Sequence, residues 1–150
     1  MKRVCASLIL ASLCVVAAIG QSNDFVDGLI ASDSVSVGQA AYLVLVASDN
    51  LGEDADAARA FELLGTFGWA PTGASADVPI LLKDYAYLLM SAFGLRGGLM
   101  YALFPGPRYA YRQLVSSFVI QGRSDPDMAV SGPVAVRMLG RVFDVKGIAE

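Results

Sequence analysis

Histidine is absent from this chain of 150 residues. Its absence excludes a Ser-His-Asp triad, a Cys-His dyad and any metal site built on imidazole. Cysteine is scarce: Cys5 and Cys14 are the two, both near the N-terminus. From Gln21 onward there is therefore neither a disulfide nor a thiolate metal site. Charge is sparse at 17%, with 11 basic against 14 acidic side chains. A general nucleic-acid binder carries a basic excess, so no nucleic acid is expected among the partners. The length fits one domain and leaves little room for two independent cores.

The N-terminus has a transport signal. Met1-Lys2-Arg3 is positive, Val4 to Ile19 is apolar, and Ala18-Ile19-Gly20 places small residues before polar Gln21. Residues 1–20 are expected to be a secretory signal peptide, cut before Gln21 or, as second choice, after Ala18. The alternative is an uncleaved N-terminal anchor, since the apolar run is nearly long enough to span. Leu13 stands where a lipoprotein needs a small residue before Cys14, which argues against lipidation. Without Lys2 and Arg3, nine basic residues face fourteen acidic ones, a net charge of −5. Residues 21–150 read as one exported domain, periplasmic or at the cell surface, and not an integral membrane protein once the signal is removed.

Within that domain, apolar residues recur at helical spacing rather than in alternation, which predicts an all-α fold of six short helices. Asp24 to Ala31 gives two turns. Ser36-Val37-Gly38-Gln39 has capping-box spacing, and the run Ala40 to Ala47 behind it is apolar on nearly every face but too short to span a bilayer. Asp54 or Asp56 is expected to cap a helix striped by Ala57, Ala60, Phe61, Leu64 and Phe67, ended by Gly68. Pro79 opens a third strong helix through Met90, followed by breaks at Gly94 and Gly97-Gly98. The turn Pro105-Gly106-Pro107 leads into a helix from about Arg108 to Val119. A last helix starts near Ser131 with Pro133 in its first turn. The expected core includes Leu43, Val44, Phe61, Leu64, Leu88, Leu89, Leu114, Phe118, Met138 and Leu139. No sheet is expected beyond short bridges before helices.

The helices also repeat. Val35 to Val44 aligns with Ile80 to Leu89, with Tyr42 on Tyr87, and Val130 to Leu139 extends the register a third time. Before them, Ala60-Phe61 matches Leu114-Val115 and Gly68 matches Gly122. The chain reads as three helix-loop-helix units starting near Asp24, Asp56 and Arg108.

A helix ending in glycine, a polar Gly/Pro/Asp loop, a short β-branched pair and a capped apolar helix together resemble the S-layer homology repeat. The closest stretches are Gly122 to Asp127 leading into Val130-Ser131, and Pro79-Ile80 leading into Asp84 to Leu89. The resemblance implies a compact pseudo-threefold bundle that holds an exported protein to envelope polysaccharide. The family's Ile-Thr-Arg-Ala-Glu signature carries an arginine that grips an acidic sugar substituent. Here its three places hold Val37, Leu82 and Gly132, while Asp84, and more weakly Gln39, keep the acidic position. The resemblance therefore implies the fold but not the family's usual ligand.

The candidate site comes from uneven charge. Phe93 to Arg123 contains Arg96, Arg108, Arg112 and Arg123 and no acidic residue, whereas Asp24 to Glu62 contains eight acidic residues and one arginine. Arg108 and Arg112 share a helical face at a spacing of four, just after the Pro-Gly-Pro turn. Their guanidinium groups suit an anion, and Trp69, Tyr101, Tyr109 and Tyr111 supply flat surfaces that stack on sugars. The candidate ligand-binding residues are Arg108, Tyr109, Arg112, Arg123, Arg96 and Trp69. The competing reading pairs Arg108 and Arg112 with the acidic N-terminal half. Tyr42, Tyr85 and Tyr87 lie in apolar helices and are assigned to core packing with their hydroxyls at the rim.

Other motifs point to structure. Gly94-Leu95-Arg96-Gly97-Gly98 lacks the Lys-Ser/Thr of a P-loop. Ser124, Asp125 and Asp127 lack the glycine and bidentate glutamate of a calcium loop, leaving loop solvation and capping. Asp54 and Asp56 fit a helix start. Asp84 is the one carboxylate set among apolar residues. No nucleophile-base pair is visible, so no catalytic residue, metal or cofactor is expected. The expectation is a non-catalytic envelope module that binds a cell-wall glycan or an envelope protein. The alternatives are a periplasmic structural or assembly protein without a small ligand, and a small periplasmic enzyme.

Overall fold

The computed structural model describes residues 25–122 and 124–149, so the expected signal peptide and Arg123 lie outside the described residues. The fold is an all-α, helix-rich bundle. Helix α1 covers residues 25–30, followed by α2 (Val37–Ala47), α3 (Ala57–Phe67), α4 (Leu82–Ala92), α5 (Leu99–Leu103), α6 (Pro107–Ser116) and α7 (Gly132–Ala149). Among the described residues there is no strand, only the isolated bridges Ser36 to Pro79 and Leu81 to Ala129. No described helix is long and apolar enough to cross a membrane.

Local chemistry sets the helix starts. Ser36 and Gln39 form the expected capping box, with the Ser36 hydroxyl accepting from Gln39 N at 3.2 Å and Gln39 Oε1 accepting from Ser36 N at 3.0 Å. Of the two candidate caps for α3, Asp56 is the one used, accepting from Arg59 N at 2.8 Å. Helix α4 starts at Leu82, three residues beyond Pro79, because Pro79 and Leu81 are held in bridges. It lacks a side-chain cap, and its free amides are satisfied from another loop. Leu82 N donates to Met128 O and Lys83 N to Pro126 O, each at 2.9 Å.

Three buried residues join distant parts of the chain. Val35 N donates to Val130 O at 2.8 Å, Val130 N to Ile80 O at 3.1 Å, and Ile80 N to Val35 O at 2.9 Å. The three amides form a closed ring at the centre of the molecule, and α2, α4 and α7 each start two residues beyond a ring member. Around it, α2 packs on α3, and α4 on α6 and α7. Tyr85 is fully buried there, its hydroxyl donating to Ala135 O at 2.9 Å and tying α4 to α7.

Eight of the ten expected core residues are buried: Leu43, Val44, Leu64, Leu88, Leu89, Leu114, Met138 and Leu139. Phe61 is half-buried against the core. Phe118 is exposed, which corrects its place in the core. Helix α6 ends at Ser116 instead of continuing to Val119, so position 118 leaves the helical stripe and Val119 and Ile120 enter the core instead. Helix α5, between the Gly97-Gly98 break and the Pro-Gly-Pro turn, has no counterpart in the sequence reading.

Candidate functional site

Two neighbouring grooves open where the N-terminus of α4 meets loops from elsewhere in the chain. The first, about 460 Å³, is lined by Trp69 and its loop, by Lys83, Asp84 and Tyr87 of α4, and by the Pro105–Pro107 turn. The second, about 410 Å³, is lined by Arg108, Tyr111 and Arg112 of α6, by Pro126 and Asp127, and again by Lys83. Lys83 is the residue common to both.

In the first groove Trp69 is half-buried, its ring 4.6 Å from that of Phe67 at an interplanar angle of 40°. The α3 ending at Gly68 and the bond from Trp69 N to Leu64 O at 2.9 Å fix its backbone. Tyr87 is half-buried on the same side of α4 as Lys83 and Asp84, one turn further on. Asp84 is half-buried, and burial raises its carboxyl above the ordinary 3.8; the Lys83 charge opposes that rise and Asp127 adds to it. This groove thus has aromatic faces beside a carboxylate and an ammonium group.

The second groove is the more cationic. Arg108 and Arg112 are exposed on one face of α6. Tyr111 is held by its hydroxyl, which donates to Ser124 O at 3.0 Å. Lys83 Nζ donates to Asp127 Oδ1 and forms an ion pair across the groove wall. Asp125 Oδ1 accepts from Asp127 N at 2.9 Å and shapes the loop that presents Asp127. Among the described residues the ion pairs are Arg59 with Glu62 and Lys83 with Asp127, and neither includes Arg108 or Arg112.

Of the six candidate residues, Trp69 lines the first groove and Arg108 and Arg112 the second. Tyr109 is half-buried on α6 and Arg96 is exposed in the loop before α5, and neither lines either groove. Arg123 lies outside the described residues. Sequence reasoning missed Lys83, Tyr87 and Asp127 as groove residues, and weighed Asp84 only as an acid. Tyr42, Tyr85 and Tyr87 part company. Tyr42 is buried with its hydroxyl donating to Glu53 O at 3.0 Å, Tyr85 is wholly internal, and Tyr87 faces the groove.

No family model matches the chain, and comparison with curated proteins and with solved structures gives no significant match. The all-α bundle and the geometry of its grooves are therefore the basis for assigning a role.

Proposed function

We propose that this protein is an exported, non-catalytic cell-envelope module of S-layer homology-like, three-unit architecture, and that it binds an anionic envelope glycan. The observation that carries this reading is the sharing of Lys83 between a groove lined by Trp69 and Tyr87 and a groove lined by Arg108 and Arg112. A saccharide lying across both would stack a sugar face on the indole and present a carboxylate to the guanidinium fork. The three-unit reading is supported by the ring of Val35, Ile80 and Val130, which stand at matching positions of the aligned segments. The signature arginine positions support a ligand mode of this protein's own. Leu82 is buried, and Gly132 has no room for a side chain, since a Cβ there would lie 1.6 Å from Leu29 O. The anion-binding guanidinium groups come instead from α6.

Retention on isolated cell-wall material tests the proposal. The wild-type chain is expected to be retained, and the double variant Arg108→Ala with Arg112→Ala to be released. Equal retention of both would remove the arginine groove from the account and favour an assembly role for this surface.

A further inference from the structure

Helix α5 is inverted. Its residues Leu99–Leu103 include no buried side chain. Leu99 is 74% exposed, Met100 48%, Leu103 59%, and Phe104, just past the helix, 62%. A surface helix normally turns its apolar stripe to the core. Here Tyr101 takes the inward place, packed half-buried against the core. Its ring lies so close to Gly97 that a Cβ at that position would come within 2.5 Å of the ring Cδ1. On the other side, Gln113 Oε1 of α6 accepts from Gly98 N at 2.8 Å. The outward apolar face is thus a fixed feature of the turn.

Charge indicates what covers it. The turn lies within Phe93 to Arg123, a stretch with four arginines and no acidic residue in a chain of net charge −3. Arg96 precedes the apolar face and Arg108 follows it. Apolar side chains carried by a basic stretch of chain complement the two layers of an anionic membrane surface, acyl chains beneath phosphate headgroups. A protein groove is a poorer match, because groove-docking helices present anchors over two turns or more, and α5 has five residues.

We propose that the Leu99–Phe104 turn is a membrane-interface anchor. It inserts Leu99, Met100, Leu103 and Phe104 into the acyl boundary of a bilayer with anionic headgroups, while Arg96 and Arg108 meet the phosphates. The proposal does not rest on glycan binding, and because Arg108 also lines the groove read as anion-binding, its charge test is made at Arg96. Its test uses the full chain with Trp69→Phe and Phe104→Trp, so that fluorescence reports on position 104 alone. Leu99→Trp is a second reporter and Met128→Trp, on the loop before α7, a control. The probe is vesicles of phosphatidylglycerol and phosphatidylcholine with brominated acyl chains. Emission from positions 104 and 99 is expected to shift blue and be quenched, with position 128 unquenched even if residues 1–20 also bind lipid. Arg96→Gln is expected to raise the lipid concentration needed by about fivefold. Absence of quenching at both 104 and 99, or equal quenching at 128, overturns the proposal. A blue shift that needs no vesicles and grows with protein concentration overturns it in favour of a second copy of the chain.

Discussion

The Val35 amide bonds the Val130 carbonyl at 2.8 Å, joining the first part of the described chain to the last. The contact brings the start of α7 so close to the end of α1 that Gly132 N also donates to Ser32 O at 3.0 Å. A Cβ at position 132 would lie 1.6 Å from Leu29 O, against backbone that no side-chain rotation can clear. Gly→Ala inside a helix usually stabilises by about 0.5–1 kcal/mol. Here the sign reverses, and Gly132→Ala is expected to cost about 3 kcal/mol by overpacking. Urea unfolding measures it, and a neutral or stabilising result would mean that this closure is loose.

Tyr85 carries the second cross-link, from α4 to Ala135 O in α7. Removing its hydroxyl leaves a buried carbonyl without that donor. Tyr85→Phe is expected to cost about 1–2 kcal/mol in thermal or urea unfolding, with the helical circular dichroism unchanged.

Asp84 is the groove's pH-sensitive group. Burial raises its carboxyl above 3.8, so the folded chain holds the proton more tightly than the unfolded chain does. Its contribution to stability is therefore complete below 3.8 and lost as pH rises through the folded value. Asp84→Asn is expected to gain Tm over wild type as pH rises towards neutrality, with the difference vanishing in acid. By NMR titration, Lys83→Met should raise the Asp84 midpoint further, since the lysine charge opposes the rise. A midpoint that falls in this variant would contradict the assignment.

Phe118 is 74% exposed and has φ 59°, in the left-handed region that bulky residues avoid. Little burial is lost when it is replaced. Phe118→Gly is expected to stabilise by about 1 kcal/mol, because relief of a left-handed L-residue outweighs the added chain entropy. A loss of stability on chemical denaturation would show that the exposed ring has a partner.

Much of this fold was legible in the sequence because its causes are local. Capping at Ser36 and Asp56 and the helical stripes lie within short windows, whereas the hydrogen-bonded ring of Val35, Ile80 and Val130 joins distant segments. Phe118 was misplaced because apolar spacing continues past the residue where α6 ends. Helix α5 escaped notice because periodicity expects an apolar face to turn inward, and its apolar face turns outward. The lining of the candidate grooves was legible in part. Trp69, Arg108 and Arg112 stood out by composition, while the approach of Lys83 to Asp127 depends on packing between distant segments, which neither residue's neighbours indicate.

The joined grooves are the centre of the functional reading, and one NMR experiment addresses them directly. Oligosaccharides released from cell wall are titrated into labelled protein, in acidic and carboxyl-reduced neutral forms. The acidic form is expected to shift the Trp69 indole N–H and the Lys83 and Arg112 signals together, with one dissociation constant. The neutral form is expected to bind at least about tenfold more weakly, as is the acidic form to Arg112→Lys, which keeps the charge but loses the planar fork. Shifts confined to other surfaces, or equal binding of both forms, would contradict glycan recognition through Lys83 and its two grooves.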